Sequence, residues 1–245
     1  MYIMNFIFTK KGIDLIFLEN NLLHGRCNMK DPIKSFWDKR FVKVKENLES
    51  NNFEVYLASD KHSAKELVLN DILPSLSPKS ISWGGSMTFV ATGLYDELKD
   101  REDIEIIDTY NYKLPRDQII ELRRKALLVD LFFTGTNAIT EDGELVNLDM
   151  IGNRVGAITF GPKNVIILCG RNKIVQDLES AMVRIKDFVA PANAMRLNMK
   201  TPCVKTSVCE ECKSPDRICN VWAITQKSYP KGRIKIVLIN EELGL

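Results

Sequence analysis

A chain of 245 residues can build one large α/β domain, or one such domain with additions. Its 45% hydrophobic and 27% charged content is that of a soluble globular protein, and no stretch approaches the roughly 20 apolar residues of a membrane span. A net charge of +2 without a dominant basic run argues against a dedicated nucleic-acid binder.

Residues 1–28 differ in character from the rest of the chain. Their apolar run precedes Lys10 and Lys11, the reverse of a signal peptide's order, and they carry no small-residue cleavage site, so the chain reads as cytoplasmic. Met29 stands just before a helix start, with Asp31 as N-cap and Pro32 in the first turn. The expected core therefore spans 29–245, with 1–28 as an extension. Ile33, Phe36, Trp37, Phe41, Val44 and Leu48 recur at helical steps up to Ser50 and predict one apolar face.

Phe53–Ala58 reads as a strand. Asp60 caps a helix expected to end at Pro74, with His62 exposed in its first turn. Ser80–Trp83 is a strand, Gly84 and Gly85 permit a sharp turn, and Ser86 or Thr88 could cap a helix running to Leu98. Such a turn can cradle an anion, or it is an ordinary strand-to-helix connection; the spacing alone leaves both open. Ile104–Ile107 predicts a strand, 108–116 a polar linker, and Gln118–Val129 a helix with Ile119, Leu122 and Ala126 inward.

Phe132 and Phe133 finish another strand, broken at Gly135, Thr136 and Asn137. Asp142-Gly143 marks a hairpin turn between Glu141 and Glu144, and Leu145–Leu148 returns. Asn137, Asn147, Asp149, Asn153 and Arg154 form either turn chemistry or a polar rim, and Arg154 can pair an anion with two donors. Val165–Leu168 is a buried strand. Lys173–Val189 is expected as a helix with Ile174, Leu178, Met182 and Ile185 inward, then a short helix over 191–199 and a final strand, Ile234–Ile239. Strands alternating with helices argue for a three-layer α/β fold: a mostly parallel sheet, helices on both faces, and ligands beyond the carboxyl ends of the strands.

Residues 201–220 form a Cys-rich segment. The spacing Cys203-x5-Cys209-x2-Cys212-x6-Cys219 in a reducing compartment points to metal ligation before disulfides. Thiolates suit an iron–sulfur cluster or zinc. Zinc would be expected to show two Cys-x2-Cys knuckles, and one is present, which favours iron–sulfur; reduced structural cysteines are the plain alternative. Cys27 stands apart, and Cys169, at the end of a buried strand, reads as core.

From about Asp31 to Ile239 the chain resembles the LUD-domain, or lactate-utilisation, family. The resemblance rests on Trp83-Gly-Gly-Ser-Met-Thr88, Thr134-Gly-Thr-Asn-Ala-Ile139 with Asp142-Gly143, Gly152-Asn-Arg-Val155, Cys209-Glu-Glu-Cys212 and Ser214-Pro-Asp-Arg-Ile-Cys219. It implies a fold of the glucosamine-phosphate isomerase, ribose-phosphate isomerase and CoA-transferase type, whose members bind phosphosugars, CoA esters or related anions at strand ends. It also implies work beside iron–sulfur oxidoreductase subunits in lactate oxidation. It supplies no catalytic residue, and no glutamate nucleophile is recognisable by motif. The expected ligand site comprises Gly84, Gly85, Ser86, Met87, Thr88, Gly135, Thr136, Asn137, Asn153 and Arg154, around a small anionic metabolite. The alternatives are an isomerase or transferase using Asp142 or Asp149 as base, and a non-catalytic ligand-binding subunit; a homo-oligomer is compatible with each.

Overall fold

The computed structural model describes residues 32–111 and 113–245; the extension expected at 1–28, with Cys27, lies outside the described residues. Helix α1 (Pro32–Ser50) buries Phe41, Val44 and Leu48. The predicted apolar face holds from Trp37 onward, with Trp37 partly buried against the core, whereas Ile33 is 61% and Phe36 52% exposed. Strand β1 (Glu54–Ala58) leads to α2 (Lys61–Leu67), which starts on a reciprocal cap: the Ser63 amide donates to Asp60 Oδ1 at 2.8 Å, and the Asp60 amide to Ser63 Oγ at 3.1 Å. The helix does not stop at Pro74. A π turn, Val68–Ile72, carries it into α3 (Leu73–Leu76), and the proline sits at the restart, where a missing N–H is tolerated.

Strand β2 (Ser80–Trp83) and the glycine turn lead to two short helices, α4 (Met87–Ala91) and α5 (Leu94–Leu98), rather than one. The break is Gly93, whose φ of +77° takes the chain out of the helix. Then come β3 (Glu105–Ile107), α6 (Arg116–Lys125) and β4 (Leu131–Gly135). The predicted hairpin is present: β5 (Ala138–Thr140) pairs antiparallel with β6 (Leu145–Asp149). Its tip lies on α1, since a Cβ on Gly143 would meet the Asn47 backbone at 2.8 Å. Helix α7 (Asn153–Thr159) and β7 (Asn164–Gly170) come next.

The single helix expected over 173–189 is corrected. Lys173 ends a 3-10 turn, and Ile174 and Val175 form strand β8 beside β5. Only at Asp177, which accepts from the Ser180 amide at 2.8 Å, does α8 (Leu178–Arg184) begin. A π turn joins it to α9 (Ala190–Arg196). Ala181 and Ile185 face inward, while Met182 is exposed. The β-branched pair in β8 and the cap at Asp177 outweigh the helical spacing. Helix α10 (Pro202–Thr206), strand β9 (Val221–Thr225) and strand β10 (Ile234–Ile239) complete the elements.

Six strands form one parallel sheet in the order β1-β10-β7-β4-β2-β3; β8-β5-β6-β9 form a second, mixed sheet. One apolar core fills the space between the parallel sheet, α1, α7 and the hairpin, and another lies under α2 to α5 on the opposite face. Helices thus cover both faces of a continuously apolar parallel sheet. Buried Arg233 secures α7 from below: its guanidinium donates to Ala157 O at 2.8 Å, Ile158 O at 2.6 Å and Pro162 O at 3.0 Å. Among the described residues no helix is long and apolar enough to cross a membrane.

Candidate functional site

In the parallel sheet β4 lies between β2 and β7, so the glycine turn, the Gly135 break and the turn after Gly170 share the carboxyl edge. A Cβ on Gly84 would stand 2.8 Å from Arg154 Cγ and 2.9 Å from Phe132 Cζ. A Cβ on Gly135 would stand 2.7 Å from Ser86 Oγ. These two glycines admit close packing between stretches far apart in sequence, whereas Gly85 faces open space. Tyr110 ties the turn from the side: the Ser86 amide donates to its hydroxyl at 3.0 Å, and that hydroxyl donates to Gly84 O at 2.7 Å. Ser86 Oγ accepts from the Phe89 amide, so the start of α4 is capped by its own chain.

Arg154 gathers the second stretch. Its Nη2 donates to Asn137 Oδ1 at 3.3 Å and to Leu148 O at 3.2 Å, and its Nε lies 3.7 Å from Asp149 Oδ2. The same carboxylate oxygen accepts from the Arg154 amide at 3.1 Å and the Val155 amide at 3.4 Å, while Oδ1 accepts from the Met150 amide at 2.9 Å. Asp149 therefore fixes the start of α7, a poor situation for a mobile proton carrier. Asp142 is exposed at the hairpin tip, and Glu141 pairs with Arg40 and Lys43 of α1. Asn137 Oδ1 also accepts from the Leu148 amide at 2.9 Å, and the Asn137 amide donates to Asn147 Oδ1 at 3.3 Å. The other end of that fully buried amide, Asn147 Nδ2, has no partner among the described residues.

The remaining expected residues divide. Thr88 is buried at the edge. Thr136 spends its hydroxyl on Ala138 O and Val146 O within the hairpin. Met87 is exposed, and Asn153 opens α7 partly covered.

Two cations were not expected from the sequence. Arg184 Nη1 donates to Asn137 O at 2.9 Å, and its Nε to Asn172 O at 3.1 Å. Lys173, 4% exposed, donates to Thr88 Oγ1 at 2.9 Å. Burial pushes the Lys173 ammonium down to about 8; the Cys169 thiol opposes that fall, and Arg184 and Arg154 add to it. Burial likewise lowers Arg184. Arg184 and Arg154 thus bear on Lys173 at this edge, and Asp149 lies beside Arg154. The signal that marks Lys173 in the sequence is its place just after Gly170, the end of a buried strand; the helical spacing of Ile174 and Leu178 hides it.

The four C-terminal cysteines line one small, partly open cavity, against Ala190, Pro191 and Ala194 of α9. All four are free thiols and partly covered, and Cys169 is buried in the core as expected. Arg217 closes their loop: Nε donates to Cys219 O at 2.9 Å, Nη1 to Cys212 O at 2.8 Å, and Nη2 to Glu211 Oε2 at 3.2 Å. Glu211 also pairs with Lys186. Among the described residues no three His, Cys, Asp or Glu side chains are gathered tightly enough to hold one metal ion. A second small cavity shares Ala190, Ile218 and Cys219 with the first and reaches Asn137. The cysteine loop and the cationic edge are therefore neighbours.

No curated protein matches the chain. Among solved structures, a DUF162 family protein from Deinococcus radiodurans is similar, at 13% identity over 82% of this chain and 97% of that one, with a TM-score of 0.46. The LUD domain profile matches residues 42–239, most of the chain's length, and the chain belongs to the LUD-domain family.

Proposed function

We propose that this chain binds a small anionic metabolite at the carboxyl edge of its parallel sheet, as a component of an organic-acid, lactate-type oxidation system. The observation that carries the reading is the excess of buried or half-buried positive charge around Asn137. Arg154 and Arg184 both bond Asn137 and both act on Lys173, and Asp149 lies beside Arg154 alone among these three. Like charges held together in a poorly solvated place raise one another's cost, and an arriving anion relieves it. Unpartnered Asn147 Nδ2 adds a donor close to the same wall. Arg154 and Asn137 would orient the anion, with Gly85, which faces open space, letting it approach the backbone.

The cysteine cavity is assigned in the same reading to an iron–sulfur cluster, which when bound would pass electrons to partner oxidoreductase subunits. The donor set suits it: four free thiols stand around the walls of one cavity, and Arg217 lies beside two of them to offset thiolate charge. Zinc would instead draw all four sulfurs to about 2.3 Å from a single point. Cys203, Cys209, Cys212 and Cys219 would be the ligands in either case.

Anaerobic purification and then a thermal-melt panel of anions tests the reading. At a hundredfold excess over Kd a bound anion stabilises by about 2.7 kcal/mol, or ~5–10 °C for a chain of this size. The expected result is such a shift for small carboxylates with wild type and its loss in Arg154→Gln. A flat panel that includes lactate, pyruvate, phosphosugars and CoA esters would contradict it.

A further inference from the structure

Lys173 and Thr88 lie just past the two strands that flank β4, and they meet at the sheet's carboxyl edge. The Lys173 ammonium has three donors, and Thr88 Oγ1 is its one hydrogen-bond acceptor among the described residues; no carboxylate pairs with it there. A buried ammonium in that state is costly without a counter-charge.

Residues 241–245 lie across this pair. Leu243 O accepts from Thr88 Oγ1 at 3.0 Å. Asn172 clips the segment in place: its Oδ1 accepts from the Leu243 amide at 3.1 Å, and its Nδ2 donates to Gly244 O at 3.0 Å. Gly244 has a φ of +68°, and a Cβ on it would stand 2.7 Å from Thr88 Oγ1, 3.0 Å from the Thr88 amide and 3.3 Å from Lys173 Nζ. The segment therefore rests directly on the two polar groups and lays a backbone carbonyl where an oxyanion would sit.

We propose that Lys173 and Thr88 are the inner half of an oxyanion-binding site, and that residues 241–245 are a strap that lifts as the anion takes over their bonds. This rests on the anion reading above and names residues and a motion that reading does not require. The anion replaces Leu243 O as the partner of Thr88 and supplies the counter-charge Lys173 lacks. The charged and titratable groups acting on Lys173 are Arg184, Arg154 and the Cys169 thiol. Since burial holds its ammonium down to about 8, an anion bound there also strengthens its hold on the proton.

The test is calorimetric titration of the full chain with oxalate and, separately, with inorganic phosphate, which tells a carboxylate site from a phosphate site. It is paired with hydrogen exchange of the 241–245 amides. For whichever probe binds, Lys173→Met and Thr88→Val should each weaken affinity tenfold or more. Gly244→Val, which cannot seat the strap, should tighten it severalfold. Exchange at Leu243 and Gly244 should speed up on binding. Unchanged affinity in Lys173→Met and Thr88→Val with loss in Arg154→Gln would overturn the inference and leave the anion reading standing. Unchanged affinity in all three, or no binding of either probe to wild type and Gly244→Val, would overturn both. Slower exchange of 241–245 on binding would overturn the strap.

Discussion

Gly84 and Arg154 are fitted to each other: a single added carbon on the glycine would lie 2.8 Å from the arginine's Cγ, well inside contact distance. The glycine turn thus fixes where the guanidinium can lie. Gly84→Ala should cost roughly 1–3 kcal/mol by overpacking, because Phe132 blocks the other side and the arginine must shift. Gly85→Ala, in open space, should be within about 0.5 kcal/mol of wild type. Urea denaturation of both variants measures the contrast, and equal midpoints would show that the close approach is not constraining.

Arg233 is the support beneath the site. Replacing it with Met leaves two carbonyls of α7 and that of Pro162 just after it without their donor, so stability should fall by about 3 kcal/mol or more. Denaturant midpoints report this directly. A loss under about 1 kcal/mol would mean that water replaces the guanidinium without difficulty.

Lys173 gives a pH signature with a definite sign. Its folded value, about 8, lies below the 10.5 of an unperturbed lysine. Between those values the unfolded chain binds the extra proton, so this group's contribution to stability rises with pH. Below about pH 8 both states are protonated and the full cost is present, roughly 3 kcal/mol. Wild type should therefore gain on Lys173→Met as pH goes from about 7.5 to about 10. A constant difference between them across that range would contradict the buried, uncompensated ammonium.

Much of this was legible in the sequence. Strand–helix alternation predicted the parallel sheet, Asp142-Gly143 the hairpin, and Gly84 with Gly135 the two breaks that meet at one edge. Helical spacing misled where local chemistry was stronger: Ile174 and Val175 pair with β5, and Asp177 delays α8. Proline misled in the other direction, since the π turn at Val68–Ile72 lets the helix pass Pro74. The strand end at Gly170 marks the place of Lys173, but the roles of Lys173, Arg184 and the 241–245 segment depend on contacts between residues as far as 155 positions apart. Strand β9, with Val221, Trp222 and Ile224 exposed, was hidden by the cysteines just before it.

Arg217 separates a built thiolate site from a loop that merely contains cysteines. Arg217→Gln should reduce bound iron, or zinc, at least severalfold, because it frees the Cys212 and Cys219 carbonyls that hold the loop closed. Cys169→Ser, in the core, should leave metal content unchanged. Metal analysis and the visible spectrum of anaerobic samples check both. Equal metal in Arg217→Gln and wild type would remove the guanidinium from the account. Metal-free wild type would remove the metal site.

The most direct test of the central claim is a crystal structure of the chain grown with the anion that most raises its melting temperature. The account predicts that anion at the carboxyl edge of the parallel sheet, within hydrogen-bond reach of Arg154 or Lys173, with residues 241–245 displaced. An anion bound elsewhere, with Arg154 and Lys173 untouched at saturation, would contradict it.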